Sequence, residues 1–267
     1  MATKEKAPVD SNFNRLGAVV MVGGRGKRMG DLTRTTPKPL LKFGRHAILD
    51  YILGALADLD MHPKNIVVVA KYLSEQIRAH LSGTGVSVIT GPHNGIALNL
   101  LAVLPDLPEN FITASSDLYS PDLLGEAAEA HLRSRAAATL VLARLAQDVP
   151  RRKFWRYTVT HGFLRNLERG RKLSGWERDL LILNRSAVDK ISATVKSALQ
   201  KGSPAHSKYK DFSDSWNLIL RVLLDEGLVI KALQHRYCRC FRINSPQDLK
   251  MAAAFAARMK LKAADGI

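Results

Sequence analysis

Apolar residues in the first half of the chain form short continuous runs separated by segments with helical spacing. Residues 16–22 (LGAVVMV), 65–70 (NIVVVA) and 110–115 (NFITAS) are rich in β-branched residues, as is VSVIT at 86–90. Such runs are typical of strands buried on both faces. The intervening segments HAILDYILGALADL, LSEQIRAHL and GIALNLLAVL carry apolar residues at helical spacing. Strands that alternate with helices predict a parallel sheet with crossover helices.

The second half has a less regular pattern. It predicts strands at AAATLVLAR, LVIKAL and HRYCRCFRI, and helices at SAVDKISATVKSAL, SDSWNLILRVLLDEG and SPQDLKMAAAFAARMKL. The last helix begins with a Ser-Pro pair, which suits a cap and a first turn. Residues 151–184 predict short strands and turns loaded with Arg and Lys, and His161 is expected in a turn. We expect this half to complete the sheet, since no flexible linker divides the chain.

Length and composition favour a single domain. The 267 residues are 46% hydrophobic, which is enough for a sizeable core. Residues 1–15 are polar and lack the apolar segment of a signal peptide, so they predict a flexible N-terminal arm. No apolar run reaches the roughly 18 residues of a membrane helix, and the expected location is the cytoplasm.

The formal net charge of +16 favours anionic partners. Nucleic acid is compatible with this charge but is not favoured as a partner, because the sequence shows neither a pattern of aromatic residues for base stacking nor the turn residues of a helix-turn-helix motif. Cys238 and Cys240 are the two cysteines. Two ligands do not make a zinc site, so these cysteines are interpreted as small buried or half-buried strand residues.

The segment VGGRGKRM directly follows the first predicted strand and carries the strongest chemical signal. Its glycines, Gly23, Gly24 and Gly26, let phosphates approach the backbone amides closely. Its cations, Arg25, Lys27 and Arg28, add charge-assisted donors. The segment matches neither the Walker pattern nor the dinucleotide GxGxxG pattern.

A second segment, TPKPLLKFG, places prolines on both sides of Lys38. The prolines stiffen the backbone and fix the direction of the lysine. A rigidly aimed lysine beyond a phosphate loop suits the stabilisation of charge on a reacting phosphate.

These two segments, in this order and spacing, resemble the sugar-phosphate and alcohol-phosphate nucleotidyltransferases, which read AAGxGTRM…TPKPLL. Further similar segments are NGIALNLLAVL, FITASSDLYSPDLL and CFRINSPQDLKMA, the last against the family's WxDIxTPEDLxxA. LERGRKLSGWERDLLILNRSAV resembles the acceptor segment of phosphocholine and inositol-phosphate cytidylyltransferases. The resemblance covers roughly residues 16–255 and is strongest over the first 120.

The resemblance implies a Rossmann-like α/β fold with a mostly parallel mixed sheet flanked by helices. The expected unit is a single nucleotidyltransferase domain over residues 16–260 with an acceptor-side lid. Residues 16–145 would form its nucleotide-binding half and residues 146–260 its acceptor-binding half.

The implied reaction transfers NMP from an NTP to a phosphomonoester and releases pyrophosphate. Within this class, cytidylyl transfer to a small alcohol phosphate is favoured over uridylyl, guanylyl or other transfer to a sugar-1-phosphate. The resemblance implies that Arg28 contacts the triphosphate, that Lys38 bridges the α-phosphate and the acceptor phosphate, and that Asp117 holds Mg²⁺. It places nucleotide-binding positions at Gly23, Gly24, Arg25, Gly26, Lys27, Gly95 and Ala97, the last two near the base.

The chain departs from the family pattern at Arg242, which stands where the family has a second metal carboxylate. A guanidinium repels a cation. Arg242 is therefore a candidate phosphate contact that replaces the charge of the metal. Two alternatives are that Asp248 or Asp214 supplies the missing carboxylate, and that catalysis is lost and a nucleotide-binding regulatory module remains.

Several residues have a plainer structural interpretation. Asp117 suits a cap for the helix that begins near SPDLL, and Asp248 suits a first-turn helix acid. Gly95 and Ala97 suit a simple helix start. The basic stretch 151–178 is either a solvated face or a lip that recruits an anionic acceptor.

Overall fold

A computed structural model describes residues 13–93, 95–144, 154–170, 176–212, 214–237 and 239–264. Its strands are β1 (Leu16–Met21), β2 (Lys42–Phe43), β3 (His46–Ala47), β4 (Ile66–Ala70), β5 (Ser87–Thr90), β6 (Asn110–Ser115), β7 (Asp117–Tyr119), β8 (Ala138–Arg144), β9 (Phe154–Thr160), β10 (Phe163–Gly170), β11 (Trp176–Asn184), β12 (Ile230–His235) and β13 (Cys240–Arg242). Its α-helices are α1 (Ile48–Ala57), α2 (Ser74–His80), α3 (Ile96–Val103), α4 (Pro121–Ser134), α5 (Arg185–Lys190), α6 (Ser192–Leu199), α7 (Pro204–Tyr209), α8 (Trp216–Asp225) and α9 (Pro246–Arg258).

Within the described ranges, nine strands form one sheet in the order β5-β4-β1-β6-β11-β8-β12-β10-β9. The first four strands in this order are parallel, and β8 and β12 are also parallel. The remaining neighbours pair antiparallel. The α/β fold with a mixed sheet is therefore as predicted, with the parallel character concentrated in the first half of the chain.

Helices cover both faces of this sheet. In β1, Leu16, Ala18 and Val20 pack into one apolar cluster, which includes residues of α1, α4 and α9. Val19 points to the opposite cluster, which includes residues of α3, α6 and α8. Alternate residues of a strand point to opposite faces, so a strand between two helix layers must be apolar at every position. This explains the continuous apolar run in the sequence.

The second half joins the same sheet. β11 pairs with β6 on one side and with β8 on the other, so strands from both halves share one hydrogen-bonded surface. The predicted long strand HRYCRCFRI is replaced by the end of β12 and the three-residue β13. β13 leaves the main sheet and pairs antiparallel with β7. The pattern did not predict α7 or β7.

Smaller predictions are also decided. His161 and Gly162 form the turn between β9 and β10, with φ of 51° and 75°, so the turn prediction is confirmed. Cys240 is a buried strand residue, as predicted. Cys238 and residues 1–12 of the predicted arm lie outside the described residues.

Candidate functional site

A cleft of about 920 Å³ opens at the carboxyl ends of β1, β4 and β6. This edge of a parallel sheet is where α/β folds bind ligands. The described residues that line the cleft are Met21, Val22, Gly23, Gly24, Arg25, Gly26, Lys27, Arg28, Met29, Lys38, Val69, Ala70, Lys71, Tyr72, Leu73, Gly91, His93, Gly95, Ile96, Asn99, Ser115, Ser116, Asp117 and Asn244. The structure thus brings the predicted glycine loop, Lys38 and Asp117 into one cavity.

The glycine loop needs glycine at Gly26 for a physical reason. Its φ is +63°, and a Cβ there would lie 3.1 Å from Cγ2 of Thr33 and 3.3 Å from Cβ of Lys38. The left-handed backbone and the close neighbours both disfavour a side chain. Gly24 has open space around it instead, so its lack of a side chain leaves the backbone accessible from the cleft.

The loop is fastened to β4 by a residue that the sequence analysis did not single out. The hydroxyl of Tyr72 lies 2.9 Å from the carbonyl oxygen of Thr33 and 2.8 Å from that of Arg34. The Arg25 guanidinium lies 5.5 Å from the centroid of the Tyr72 ring, within cation–π range. Tyr72 therefore holds both ends of the loop region. Its position just after β4, at the ligand-binding edge of the sheet, was the signal that could have identified it.

Lys38 points at Asp117 from between two prolines. Pro37 and Pro39 are buried, and the Lys38 Nζ lies 3.7 Å from Oδ1 of Asp117. Only about 15% of each side chain is exposed. Burial lowers the pKa of Lys38, the nearby Arg28 lowers it further, and Asp117 partly opposes both. Asp117 also accepts a 2.9 Å hydrogen bond from the Ser115 hydroxyl.

Asp117 does not cap the following helix, so that alternative is wrong. Ser120 is the N-cap of α4, and its side chain accepts a hydrogen bond from the backbone N–H of Leu123. Asp117 is the first residue of β7. Asp117 lines the cleft instead.

Arg28 is held by a residue that is distant in the sequence. Its guanidinium donates a 2.7 Å hydrogen bond to the side-chain oxygen of Asn244. The backbone N–H of Asn244 donates to the Asp248 carboxylate, which also completes the capping box of α9 with Ser245. Asp248 is therefore a helix acid, as the plainer interpretation held. Asn244 was missed, although its position next to the Ser-Pro cap was a signal.

Gly95 and Ala97 lie at the start of α3, but their contacts are with protein. The Asp214 carboxylate accepts hydrogen bonds from the backbone N–H groups of Ala97 (2.5 Å) and Leu98 (3.3 Å). Ala97 is fully buried, whereas Gly95 also lines the cleft. A Cβ on Gly95 would overlap the Asp214 carboxylate. The helix-start interpretation accounts for these contacts, and Asp214 caps α3 rather than replacing a metal ligand.

This cap gives a stability prediction. We expect Asp214→Ala to lower the free energy of unfolding by about 1–2 kcal/mol, the usual cost of losing a helix cap. Gly95→Ala should cost about 1–3 kcal/mol through overpacking. In the double variant the second substitution should cost less, because the clashing carboxylate is gone. Denaturant unfolding measures all three, with the exposed Asp211→Ala as a control; additive effects would contradict the proposed contact.

Arg242 lies directly across from Asp117 in the β13–β7 pair, where their Cα atoms are partners. It does not line the large cleft among the described residues. It borders a small adjacent hollow instead, and its guanidinium donates a hydrogen bond to the backbone carbonyl of Arg178. The structure thus places a cation beside Asp117, where the family pattern has a second carboxylate.

Comparison with known families decides the class of the chain. Residues 18–199, well over half of the sequence, match the MobA-like NTP transferase domain. The chain belongs to this family.

One curated relative agrees with this assignment. The chain is 28% identical over 145 residues to the mannose-1-phosphate guanylyltransferase catalytic subunit beta of Drosophila pseudoobscura pseudoobscura. That stretch covers 50% of this chain and 38% of the relative, so the chain spans well under two thirds of that protein.

Two solved structures share the fold of the MobA-like domain. The inositol-1-phosphate CTP transferase of T. maritima superposes with a TM-score of 0.65 at 17% identity, covering 92% of this chain and 96% of that one. The CTP:phosphocholine cytidylyltransferase of Streptococcus pneumoniae gives a TM-score of 0.66 at 15% identity, covering 90% and 98%. At these identities the likeness establishes the fold.

The carboxylate arrangement of the MobA-like domain is sparse. Among the described residues, no group of three or more His, Cys, Asp or Glu side chains is placed to hold a metal ion. Asp117 alone still fits Mg²⁺, which takes one or two carboxylates and completes its shell with waters and phosphate oxygens. None of the helices in the described ranges has the length and apolar character needed to cross a membrane.

The basic stretch 151–178 is described only in part, because residues 151–153 and 171–175 lie outside the described ranges. In the described part, Arg156 pairs with Glu168 at 2.9 Å on the β9–β10 hairpin. Arg178, in contrast, reaches the hollow beside Asp117. One residue of the stretch is therefore part of the site region, and the hairpin pair is a surface contact.

Proposed function

We propose that the protein transfers a nucleoside monophosphate from an NTP to a phosphomonoester, a sugar-1-phosphate or small alcohol phosphate, with release of pyrophosphate. The observation that supports this most directly is the placement of Lys38 between the glycine loop and Asp117 in one cleft. A cation there lies next to the phosphates that the loop would bind.

The reaction needs alignment and charge neutralisation more than covalent chemistry. An oxygen of the acceptor phosphate attacks the α-phosphorus, and the bond from that phosphorus to the pyrophosphate oxygen breaks. The electron pair leaves with pyrophosphate. Because the attacking phosphate is already ionised, no general base has to remove a proton.

Each part of the cleft has a role in this proposal. The amides and cations of Gly23–Lys27 hold the triphosphate, and Gly95 borders the base. Arg28, oriented by Asn244, stabilises charge on the departing pyrophosphate. Lys38 contacts the α-phosphate and the acceptor phosphate together. Asp117 would hold Mg²⁺, which when bound neutralises phosphate charge.

Within this proposal a cytidylyl donor and a small alcohol phosphate acceptor are favoured. The support is the resemblance of residues 167–188 to cytidylyltransferase acceptor segments.

Thermal-shift titration with ATP, CTP, GTP and UTP, each with and without Mg²⁺, tests the proposal. At a hundredfold excess over Kd, a ligand that binds only the folded state adds about 2.7 kcal/mol of stability. We expect one nucleotide to raise Tm by roughly 5–10 °C for a chain of this size, and Mg²⁺ to enhance the shift. Pyrophosphate release with a panel of phosphomonoesters then identifies the acceptor.

Arg28→Gln should weaken the nucleotide shift, and the exposed Arg34→Gln serves as its matched control. Absence of a shift with all four nucleotides would overturn the proposal. A shift without Mg²⁺ dependence and without turnover would instead support a non-catalytic nucleotide-binding module.

A further inference from the structure

The cleft extends along the edge of the sheet from the end of β6 to the end of β5. The glycine loop follows β1, and β4 separates β1 from β5 in the sheet. Neighbouring strands lie about 4.8 Å apart, so the chain that follows β5 lines the cleft roughly 10 Å from the glycine loop. The β5-side wall of the cleft consists, among the described residues, of Gly91, His93, Gly95, Ile96 and Asn99.

Charge divides the cleft between the two ends of a nucleotide. The cations Arg25, Lys27, Arg28 and Lys38 belong to the glycine loop and the segment after it, and Lys71 directly follows β4. None of the described residues of the β5-side wall is Lys, Arg, Asp or Glu. A triphosphate is drawn to the cations. The β5-side wall is therefore the part of the cleft left for the uncharged nucleoside.

Asn99 stands out in α3 because the other residues of this helix are all apolar. A side chain on a helix leans toward the N-terminus of the helix, which turns Asn99 back toward the start of α3 and the β5-side wall. Its Oδ1 accepts a 3.0 Å hydrogen bond from the backbone N–H of His93. Its Nδ2 donates to the backbone carbonyls of His93 at 2.9 Å and of Gly95 at 2.7 Å. One side chain thus bonds three backbone groups of the wall.

The three contacts require a carboxamide at this position. Asparagine combines an acceptor with two donors, whereas a carboxylate only accepts and would face two carbonyl oxygens. Asn99 is 9% exposed, so water replaces a lost partner poorly there. A Cβ on Gly91 would lie 2.9 Å from the Oδ1 of Asn99, which shows how closely the backbone of the wall packs against the carboxamide.

We propose that Asn99 is a positioning residue for the nucleobase, and that the wall it fixes sets the discrimination among the four bases. The inference rests on the proposed function and concerns the nucleoside end of the donor. Gly91 and Gly95 have no side chains, so at these positions the wall offers its backbone to a base. The bases differ in the donors and acceptors at their edges. A backbone distinguishes them only when its own groups are held in place, because hydrogen bonds weaken steeply with misalignment.

Calorimetric titration of the full chain with ATP, CTP, GTP and UTP, and with inorganic tripolyphosphate, tests this role in the presence of Mg²⁺. Tripolyphosphate carries the phosphates of a nucleotide without a base. In Asn99→Asp and Asn99→Leu we expect affinity for the preferred nucleotide to fall by about tenfold or more, and the four affinities to become more nearly equal. Affinity for tripolyphosphate should stay within about twofold, because the cations of the glycine loop are unchanged.

Asn217→Leu is the matched control. Asn217 is also a buried helix residue, 8% exposed, but it lies outside the described lining of the cleft. Its substitution should lower stability without changing the order or spread of the four nucleotide affinities. Asn99→Ser, a smaller change, replaces Asn99→Leu if that variant does not fold. Thermal unfolding of each variant confirms that it folds.

An unchanged nucleotide preference in the folded Asn99 variants would overturn the inference and leave the proposed function standing. Equal losses of affinity for tripolyphosphate and for all four nucleotides would also overturn it, because they would indicate a general disturbance of the cleft. Equal binding of the four nucleotides by the wild type would overturn it as well. Absence of any nucleotide binding by the wild type would instead overturn the proposed function, and the inference with it, so the two failures are distinguishable.

Discussion

Replacing Lys38 by methionine is expected to lower kcat by about a thousandfold, at the upper end of what removal of one preorganised charge-stabilising group costs. Methionine keeps most of the length of the side chain while removing the charge. The effect should fall on kcat rather than on nucleotide affinity, because Lys38 faces Asp117 and the α-phosphate position while the glycine loop supplies other cations. Steady-state turnover and a nucleotide thermal shift measure the two quantities separately.

The control for this variant is Lys42→Met. Lys42 is an exposed residue of β2, four positions along the same segment. Its substitution should leave kcat within about twofold, since substitutions of surface residues away from a functional site have small effects. Nearly normal turnover in Lys38→Met would show that Lys38 takes no part in the chemical step.

The second large effect is expected from Asp117→Asn. We expect turnover to fall at least about a hundredfold, because metal-assisted charge stabilisation is worth several kcal/mol and each 1.4 kcal/mol is a factor of ten. The nucleotide thermal shift should also lose its enhancement by Mg²⁺. Loss of the carboxylate removes the larger of the two acidic influences that raise the pKa of Lys38, so that pKa should fall further.

Asp122→Asn provides the comparison, because Asp122 is an exposed residue of α4 close to Asp117 in the chain. It should retain both turnover and the Mg²⁺ enhancement. Persistence of the Mg²⁺ enhancement in Asp117→Asn would show that the cation is held elsewhere.

Local sequence patterns predicted the framework of the site well. β1, β4 and β6 were visible because strands between two helix layers are apolar along their whole length. The glycine loop and Lys38 were visible because glycines and prolines restrict the backbone directly. Each of these signals is contained in a short stretch of the chain, which is the range over which a single sequence is informative.

Contacts between distant segments were not predictable in the same way. Asn244 meets Arg28 across 216 positions, and Asp214 meets the start of α3 across more than a hundred. The register shift between Arg178 and Leu180 depends on how β11 pairs with β8, a strand more than thirty residues away. The antiparallel β7–β13 pair, which sets Arg242 opposite Asp117, follows from the same long-range folding. In none of these cases does a local pattern identify the distant partner.

The Arg28–Asn244 contact also has a consequence for how the protein is made. At a synthesis rate of 5–20 residues per second, roughly 10–40 s separate the appearance of Arg28 from that of Asn244. During that interval the phosphate loop is already on the growing chain, but the group that orients Arg28 is not. A nascent chain thus acquires the proposed nucleotide-binding loop early and the Arg28–Asn244 contact only after Asn244 has been added. On the proposed function, full nucleotide affinity should therefore require synthesis through Asn244.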